Sequence, residues 1–286
     1  MSTTASYKDV IKDIQDFYTE NSVNAYAPTV DKTLKFKPLS VSQMKKFIEL
    51  QVKASKEENQ GLPTVDAAKE LTQCLVDNFL GPDDYELGTN LTILDRDCII
   101  AQLRASNNPM IDIPDKENDS YEASIAHVLT NFKDNKLSAD CLSREKVFKF
   151  KSGKLKLKLR LPSLSLDTYI NDFYRKDLEP FLKQGKKSLK NNLEKILSQT
   201  IFVELSKYIE YIEITKNTKS TLITFDNDQT LKNNLKILEG LPSSLIVEIN
   251  SFVRNIKDYK DTALFYVDKD GNQKSLTIDI NLFTTI

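Results

Sequence analysis

Helical and strand periodicities both occur along the chain, in separate segments. Hydrophobic residues recur every three or four positions, which places them on one face of a helix, over residues 7–20, 41–55, 64–79 and 92–105. Strict alternation of apolar and polar residues, which is typical of strands, marks 32–36 and 144–161. The pattern therefore predicts an α+β fold.

The stretch Lys32–Ser55 contains a strand followed directly by a helix. The strand ends at Pro38, and Ser40 stands where a helix N-cap is expected, with Gln43 three residues later as in a capping box. The helix has an apolar face and a lysine-rich face. We interpret this strand and helix as a docking element without chemistry of its own.

The segment 144–161 has the strongest pattern in the chain. Phe148 and Phe150 alternate with lysines, Ser152-Gly153 can form a turn, and leucines then alternate with basic residues up to position 161. This predicts a β-hairpin with an apolar face and a basic face. The basic face has three interpretations: it tracks nucleic-acid phosphates, it meets an acidic partner protein, or its lysines protect an edge strand from aggregation.

The remaining chain is predicted from weaker signals. Residues 21–29 and 107–119 are expected to be loops, and 121–132 a short helix. Three further elements are expected toward the C-terminus: a helix interrupted at Pro180, a long helix over 188–212, and a terminal hairpin over 263–283 that turns at Asp268-Lys269-Asp270-Gly271.

These elements divide into three predicted units. Residues 1–30 form an N-terminal amphipathic helix and loop, and 31–140 form a helix-rich docking unit with one short strand. Residues 141–286 form an α+β unit that contains the basic hairpin, the long helix and the terminal hairpin.

Composition limits the chemistry that the chain can offer. The 40 basic and 41 acidic residues give a formal net charge of −1, so there is no bulk attraction to nucleic acid. No glycine-rich phosphate loop, signal peptide or membrane span is apparent. Cys74 and Cys98 fit apolar helix positions, and the one histidine, His127, is expected to be an ordinary helical residue. We therefore expect no enzymatic activity, catalytic residue, metal or cofactor, and an enzyme whose motif is not apparent is kept as a further hypothesis.

Two motifs resemble those of a known family. The strings KTLKFKPLSVSQMKKFIEL and LTILDRDCIIAQLRASN, with VDNFLGP between them and a cysteine-preceded hairpin after them, resemble the baseplate hub and hub-assembly proteins of T-even-like contractile-tailed bacteriophages. The resemblance covers about residues 25–175. It implies a structural or assembly protein of the baseplate hub, in the virion tail or in the host cytoplasm during assembly.

The resemblance also implies contacts with other tail proteins and a homo-oligomer or symmetric ring. The residues expected at interfaces are Phe36, Pro38, Phe47, Arg104, Lys149, Lys156 and Lys158. Phe36 and Phe47 also suit ordinary core packing, and Arg104 suits a cation at a helix C-terminus. The alternative function is a nucleic-acid-associated protein that binds through the basic hairpin.

Overall fold

A computed structural model describes residues 16–17, 19–55, 62–114, 120–183, 201–217, 219–226, 228–277 and 282. The helices are α1 Val41–Ser55, α2 Leu62–Asn78, α3 Leu87–Asn90, α4 Ile93–Asn107, α5 Val128–Asp134, α6 Ala139–Leu142, α7 Leu164–Lys183, α8 Asp228–Glu239 and α9 Ser243–Ala263. The strands are β1 Val23–Ala27, β2 Lys32–Phe36, β3 Met110–Pro114, β4 Ser120–Ser124, β5 Ser143–Phe150, β6 Gly153–Arg160, β7 Ile209–Lys216, β8 Lys219–Ile223, β9 Phe265–Val267 and β10 Gln273–Ser275. Residues 201–207 are also helical. The predicted α+β fold class is confirmed.

Helix α4 lies at the centre of the molecule. From Leu94 to Ala105 every residue is buried except Asp97, which is half-buried. Its start is a capping box, in which Thr92 and Asp95 bond each other's backbone N–H groups. A helix enclosed on all sides must pair each of its polar side chains inside the protein, so the elements around α4 must supply those partners.

The strand-to-helix stretch around Pro38 is confirmed as a local structure. The backbone N–H of Gln43 donates to the Ser40 hydroxyl at 3.2 Å, and the backbone N–H of Ser40 donates to the side-chain oxygen of Gln43 at 2.9 Å. The strand β2 pairs with β1, so residues 23–27 are a strand where a loop was predicted. Ala25 and Ala27 are fully buried, and their small side chains gave little periodic signal.

Four strands form the largest sheet, in the antiparallel order β5-β6-β7-β8. The predicted hairpin is its first half, with Phe150 paired to Gly153 across the Lys151-Ser152 loop. A register shift lies between Lys158 and Leu159 in the pairing of β6 with β7. Strand β7 starts at Ile209, so the prediction of helix up to residue 212 is wrong. β-branched side chains and pairing with β6 favour the strand there.

Three other predictions also change. Residues 110–114 and 120–124 pair as the hairpin β3-β4, where a loop and the start of a helix were expected. Helix α7 continues through Pro180 to Lys183. The terminal hairpin is present as β9 and β10, with Gly271 at φ +79° in its turn. Its predicted continuation over 278–281, the long helix over 188–200 and most of the first helix lie outside the described residues.

One hydrophobic cluster contains buried residues from both the 31–140 and the 141–286 segments. It includes Cys74, Cys98 and Cys141, which are all free and buried, as predicted for the first two. Within the described ranges, no helix has both the length and the apolar character needed to cross a bilayer.

Candidate functional site

The solvent-facing side of the four-stranded sheet is the main candidate surface. Residues directly opposite each other in antiparallel strands share a face, so the register aligns Val147, Lys156, Glu213 and Leu222 in one row. Val147 is 45% exposed and Leu222 is 62% exposed. We call this side the outer sheet face; its residues are Glu145, Val147, Lys149, Lys154, Lys156, Lys158, Tyr211, Glu213 and Leu222.

Charges of both signs lie on the outer sheet face. The Lys156 ammonium is 2.9 Å from the Glu145 carboxylate and 5.6 Å from the centroid of the Tyr211 ring. The hydrogen bond to Glu145 raises the pKa of Lys156. Lys149 is exposed and lies directly opposite Lys154, a like-charged pair, whereas Lys158 is half-buried opposite Glu145. Carboxylates inside the lysine rows make this face complementary to a mixed-charge surface.

The two faces of the hairpin are less cleanly divided than predicted. Leu155 and Leu157 are buried as expected, but Lys146 lies on their side of the hairpin, because it is paired with Leu157. Arg144 is on the same side, and its guanidinium is 3.3 Å from Glu248 of α9. The predicted basic face carries the lysines, but Glu145 and Val147 also lie within it.

The motif residues predicted at an interface lie mainly inside the molecule. Phe36 is 0% exposed, and Phe47 and Arg104 are each 1% exposed. A side chain without exposed surface stabilises its own fold, so these three interface predictions are replaced by core roles. Pro38 is half-buried.

The predicted docking element is docked on its own chain. The Lys37 N–H donates to the Asn78 carbonyl at 2.6 Å, and the Leu80 N–H donates to the Lys35 carbonyl at 2.9 Å. The rings of Phe36 and Phe79 lie 5.6 Å apart between centroids. These contacts join residues 35–37, at the end of β2, to residues 78–80, at the end of α2.

Arg104 uses its guanidinium to bind three backbone carbonyl groups, two just after α4 and one near the C-terminus. Nε donates to the Leu282 carbonyl at 2.8 Å, and Nη2 donates to the Met110 carbonyl at 2.9 Å. Nη1 donates to the Asn108 carbonyl. Burial lowers the pKa of Arg104. The planar fork of arginine suits this role, because its donors point in different fixed directions.

A buried cluster of charges was missed by the sequence reasoning. We call it the ion cluster; its members are Arg96, Asp97, Asp167, Lys207 and Lys260. The Asp167 carboxylate accepts from Arg96 Nη1 at 3.1 Å and from Lys207 Nζ at 2.9 Å. Asp97 accepts from Arg96 Nε at 3.2 Å and also pairs with Lys260. The members come from α4, α7, α9 and the helical residues 201–207, which no sequence period connects.

The ion cluster has three cations and two carboxylates, and Glu204 beside Lys207 supplies a third negative charge. Asp167 and Lys207 are each 4% exposed. Burial opposes the ionisation of Asp167, but the nearby Lys207 and Arg96 outweigh it, so the pKa of Asp167 lies below its usual range. Lys207 Nζ also donates to Asn171 at 2.7 Å and to Glu204 at 2.8 Å. All three ammonium protons therefore have acceptors, which fits a brace between helices.

His127 precedes α5 and stacks on Phe265, with 4.0 Å between the ring centroids. Burial lowers its pKa, so the imidazole is neutral near physiological pH. In the described part of the chain, no three His, Cys, Asp or Glu side chains converge as a metal site would require.

No protein-family model, curated protein or solved structure matches this chain significantly.

Proposed function

We propose that this chain is a structural or assembly protein of the baseplate hub of a contractile-tailed bacteriophage, and that it acts through protein–protein contacts. The observation that carries the contact part of the proposal is the chemistry of the outer sheet face. Exposed Val147 and Leu222 lie in one row with a lysine and a glutamate. Protein interfaces combine apolar contact with charge pairs in this way.

The phage part of the proposal is supported by the two motifs that resemble hub proteins. In the structure the two motifs touch: the Asn107 side chain at the end of α4 donates to the Leu39 carbonyl at 2.9 Å. They therefore belong to one packed unit of the chain.

The nucleic-acid alternative receives less support from the same face. A phosphate backbone needs a continuous positive track, and Glu145 and Glu213 interrupt the lysines on both sides of Lys156. The Glu145 carboxylate also forms an ion pair with Lys156, so a phosphate would have to compete with it for this ammonium group.

The test is affinity purification of the tagged full chain from phage-producing cells, followed by mass spectrometry. Wild type should recover tail-tube, hub or wedge proteins, and Lys156→Glu with Lys158→Glu should lose them. The matched control reverses the charge of two other lysines, with Lys45→Glu and Lys236→Glu. Both lysines are exposed, on α1 and α8. Recovery of nucleic acid, or equal recovery by the double variant and the control, would overturn the proposal.

A further inference from the structure

Strand β5 is an open edge of the four-stranded sheet. It comes first in the order β5-β6-β7-β8, so only one of its sides is paired. In the part of the chain that the structure describes, no backbone hydrogen bond reaches its other side. The strand has eight residues without proline or bulge, and Val147 and Phe150 are 45% and 50% exposed. Such an edge is a template for another strand.

The backbone groups that face outward can be assigned from the hairpin. Phe150 and Gly153 flank the two-residue loop and form a hydrogen-bonded pair. Hydrogen-bonded and non-hydrogen-bonded pairs alternate along an antiparallel ladder. The N–H and C=O groups of Glu145, Val147 and Lys149 therefore point away from β6, toward solvent.

We propose that β5 pairs with β5 of a second copy of this chain, antiparallel and about a twofold axis at Val147. In this register the outward-pointing groups of Val147 meet those of its own symmetry mate. Glu145 lies opposite Lys149 of the second copy, and the symmetry produces this ion pair twice. The inference does not depend on the phage assignment.

Lys149 gains a carboxylate partner from this pairing. In the single chain it lies opposite Lys154, and like charges directly opposite each other disfavour a strand pair. No carboxylate is within ion-pair distance of Lys149 among the residues described. In the twofold register, Glu145 of the second copy lies beside it.

The other face of the strand is also self-complementary. Lys146 lies opposite Phe148 of the second copy, and Arg144 lies opposite Phe150. The Lys146–Phe148 pairs place a cationic side chain beside an aromatic ring, a favourable contact. The second copy also covers the half-exposed Phe150, while the Arg144 guanidinium stays on Glu248. Both faces of the pair therefore match.

Other registers that use the same outward-pointing backbone groups have less favourable cross-strand charge pairs. A shift by one pairing step places Val147 opposite Glu145 or opposite Lys149 and breaks the central ion pairs. A shift by two steps places Glu145 opposite Glu145, or Lys149 opposite Lys149. The strand sequence thus favours the register centred on Val147.

A single strand pair buries less area than a standard protein interface, so we expect a weak dimer. Sedimentation velocity of the full chain from about 10 μM to about 1 mM covers the range in which such a complex is half formed. Glu145→Lys should weaken dimerisation about tenfold or more, and Lys149→Glu should do the same, because each creates two like-charge pairs. The double variant should recover dimerisation to within about threefold of wild type.

Disulfide trapping gives a second readout that does not depend on affinity. Paired residues of a hydrogen-bonded antiparallel pair have Cα atoms about 5.5 Å apart, a distance that a disulfide spans. Val147→Cys should therefore oxidise to a covalent dimer with oxidised glutathione. Leu222→Cys, which is 62% exposed on the opposite edge strand, is the matched control and should remain monomeric. The three native cysteines are buried.

Circular dichroism checks that each variant is folded. A wild-type chain that stays monomeric at about 1 mM would overturn the proposal, as would charge variants without rescue in the double variant. Equal trapping at positions 147 and 222 would also overturn it.

Discussion

Replacement of Asp167 by asparagine tests whether the ion cluster holds the helices together. The variant keeps the volume of the side chain but removes the carboxylate that Arg96 and Lys207 share, which leaves Asp97 and Glu204 as their remaining anionic partners. The side chains of Asp167, Arg96 and Lys207 are 6%, 9% and 5% exposed, so solvent screens them little. Breaking a buried ion pair from one side costs about 3–5 kcal/mol. Because asparagine still accepts a hydrogen bond, we expect a loss of about 3 kcal/mol in the free energy of unfolding at neutral pH.

The pH dependence gives the sharper readout. The folded-state pKa of Asp167 is lowered, so its contribution is present above the unfolded pKa of about 3.9 and is lost as pH falls through the folded value. The difference between wild type and Asp167→Asn should therefore shrink on acidification below about pH 4.

Urea unfolding followed by circular dichroism, at neutral pH and at several acidic pH values, measures this difference. Asp83→Asn, at an exposed turn, is the control and should change stability little at any pH. A loss below about 1 kcal/mol at neutral pH, or a difference that stays constant with pH, would refute the reasoning.

Three further predictions follow from single contacts. Arg104→Lys should lower the free energy of unfolding by about 2 kcal/mol, because one ammonium cannot reach all three carbonyl groups; a urea curve identical to wild type would contradict this. Gly153→Ala should loosen the pairing of β6 with β7, since a Cβ there would lie 2.0 Å from the Thr215 carbonyl oxygen, and unchanged amide-exchange protection in both strands would argue against it. Burial raises the pKa of Cys74 to about 12, so iodoacetamide at about pH 8 should label this thiol only in unfolded protein, and rapid labelling of native protein would disprove it.

Local rules predicted the parts of the fold that local chemistry determines. The capping box at Ser40 needs only residues three positions apart and occurs as predicted, and the same local chemistry forms the one at Thr92. The hairpin over 144–161 was visible because alternation and a turn suffice to define it. The basic tip residue Lys149 is exposed, as its place in that alternation predicted.

Tertiary contacts decided the rest. The spacing of Leu205, Tyr208, Ile209 and Ile212 fits a helix face, yet the chain leaves the helix and Ile209 begins β7, where β6 supplies the hydrogen bonds. The sequence marks Phe36 and Phe47 as apolar positions, which suit both a core and an interface. Only the packing of the folded chain shows that they lie in the core. The ion cluster joins residues 97 and 260, and nothing in the sequence marks that pair.

The long connections of α4 bear on how the chain folds during synthesis. Asp97 pairs with Lys260, 163 residues later, and Arg104 bonds the carbonyl of Leu282, 178 residues later. During synthesis α4 therefore lacks these two partners until residues 260 and 282 have left the ribosome. Contacts at such separations form slowly, because the intervening chain must first be ordered. This region should therefore finish folding only after residue 282 has been synthesised, and chains truncated before it should depend on chaperones.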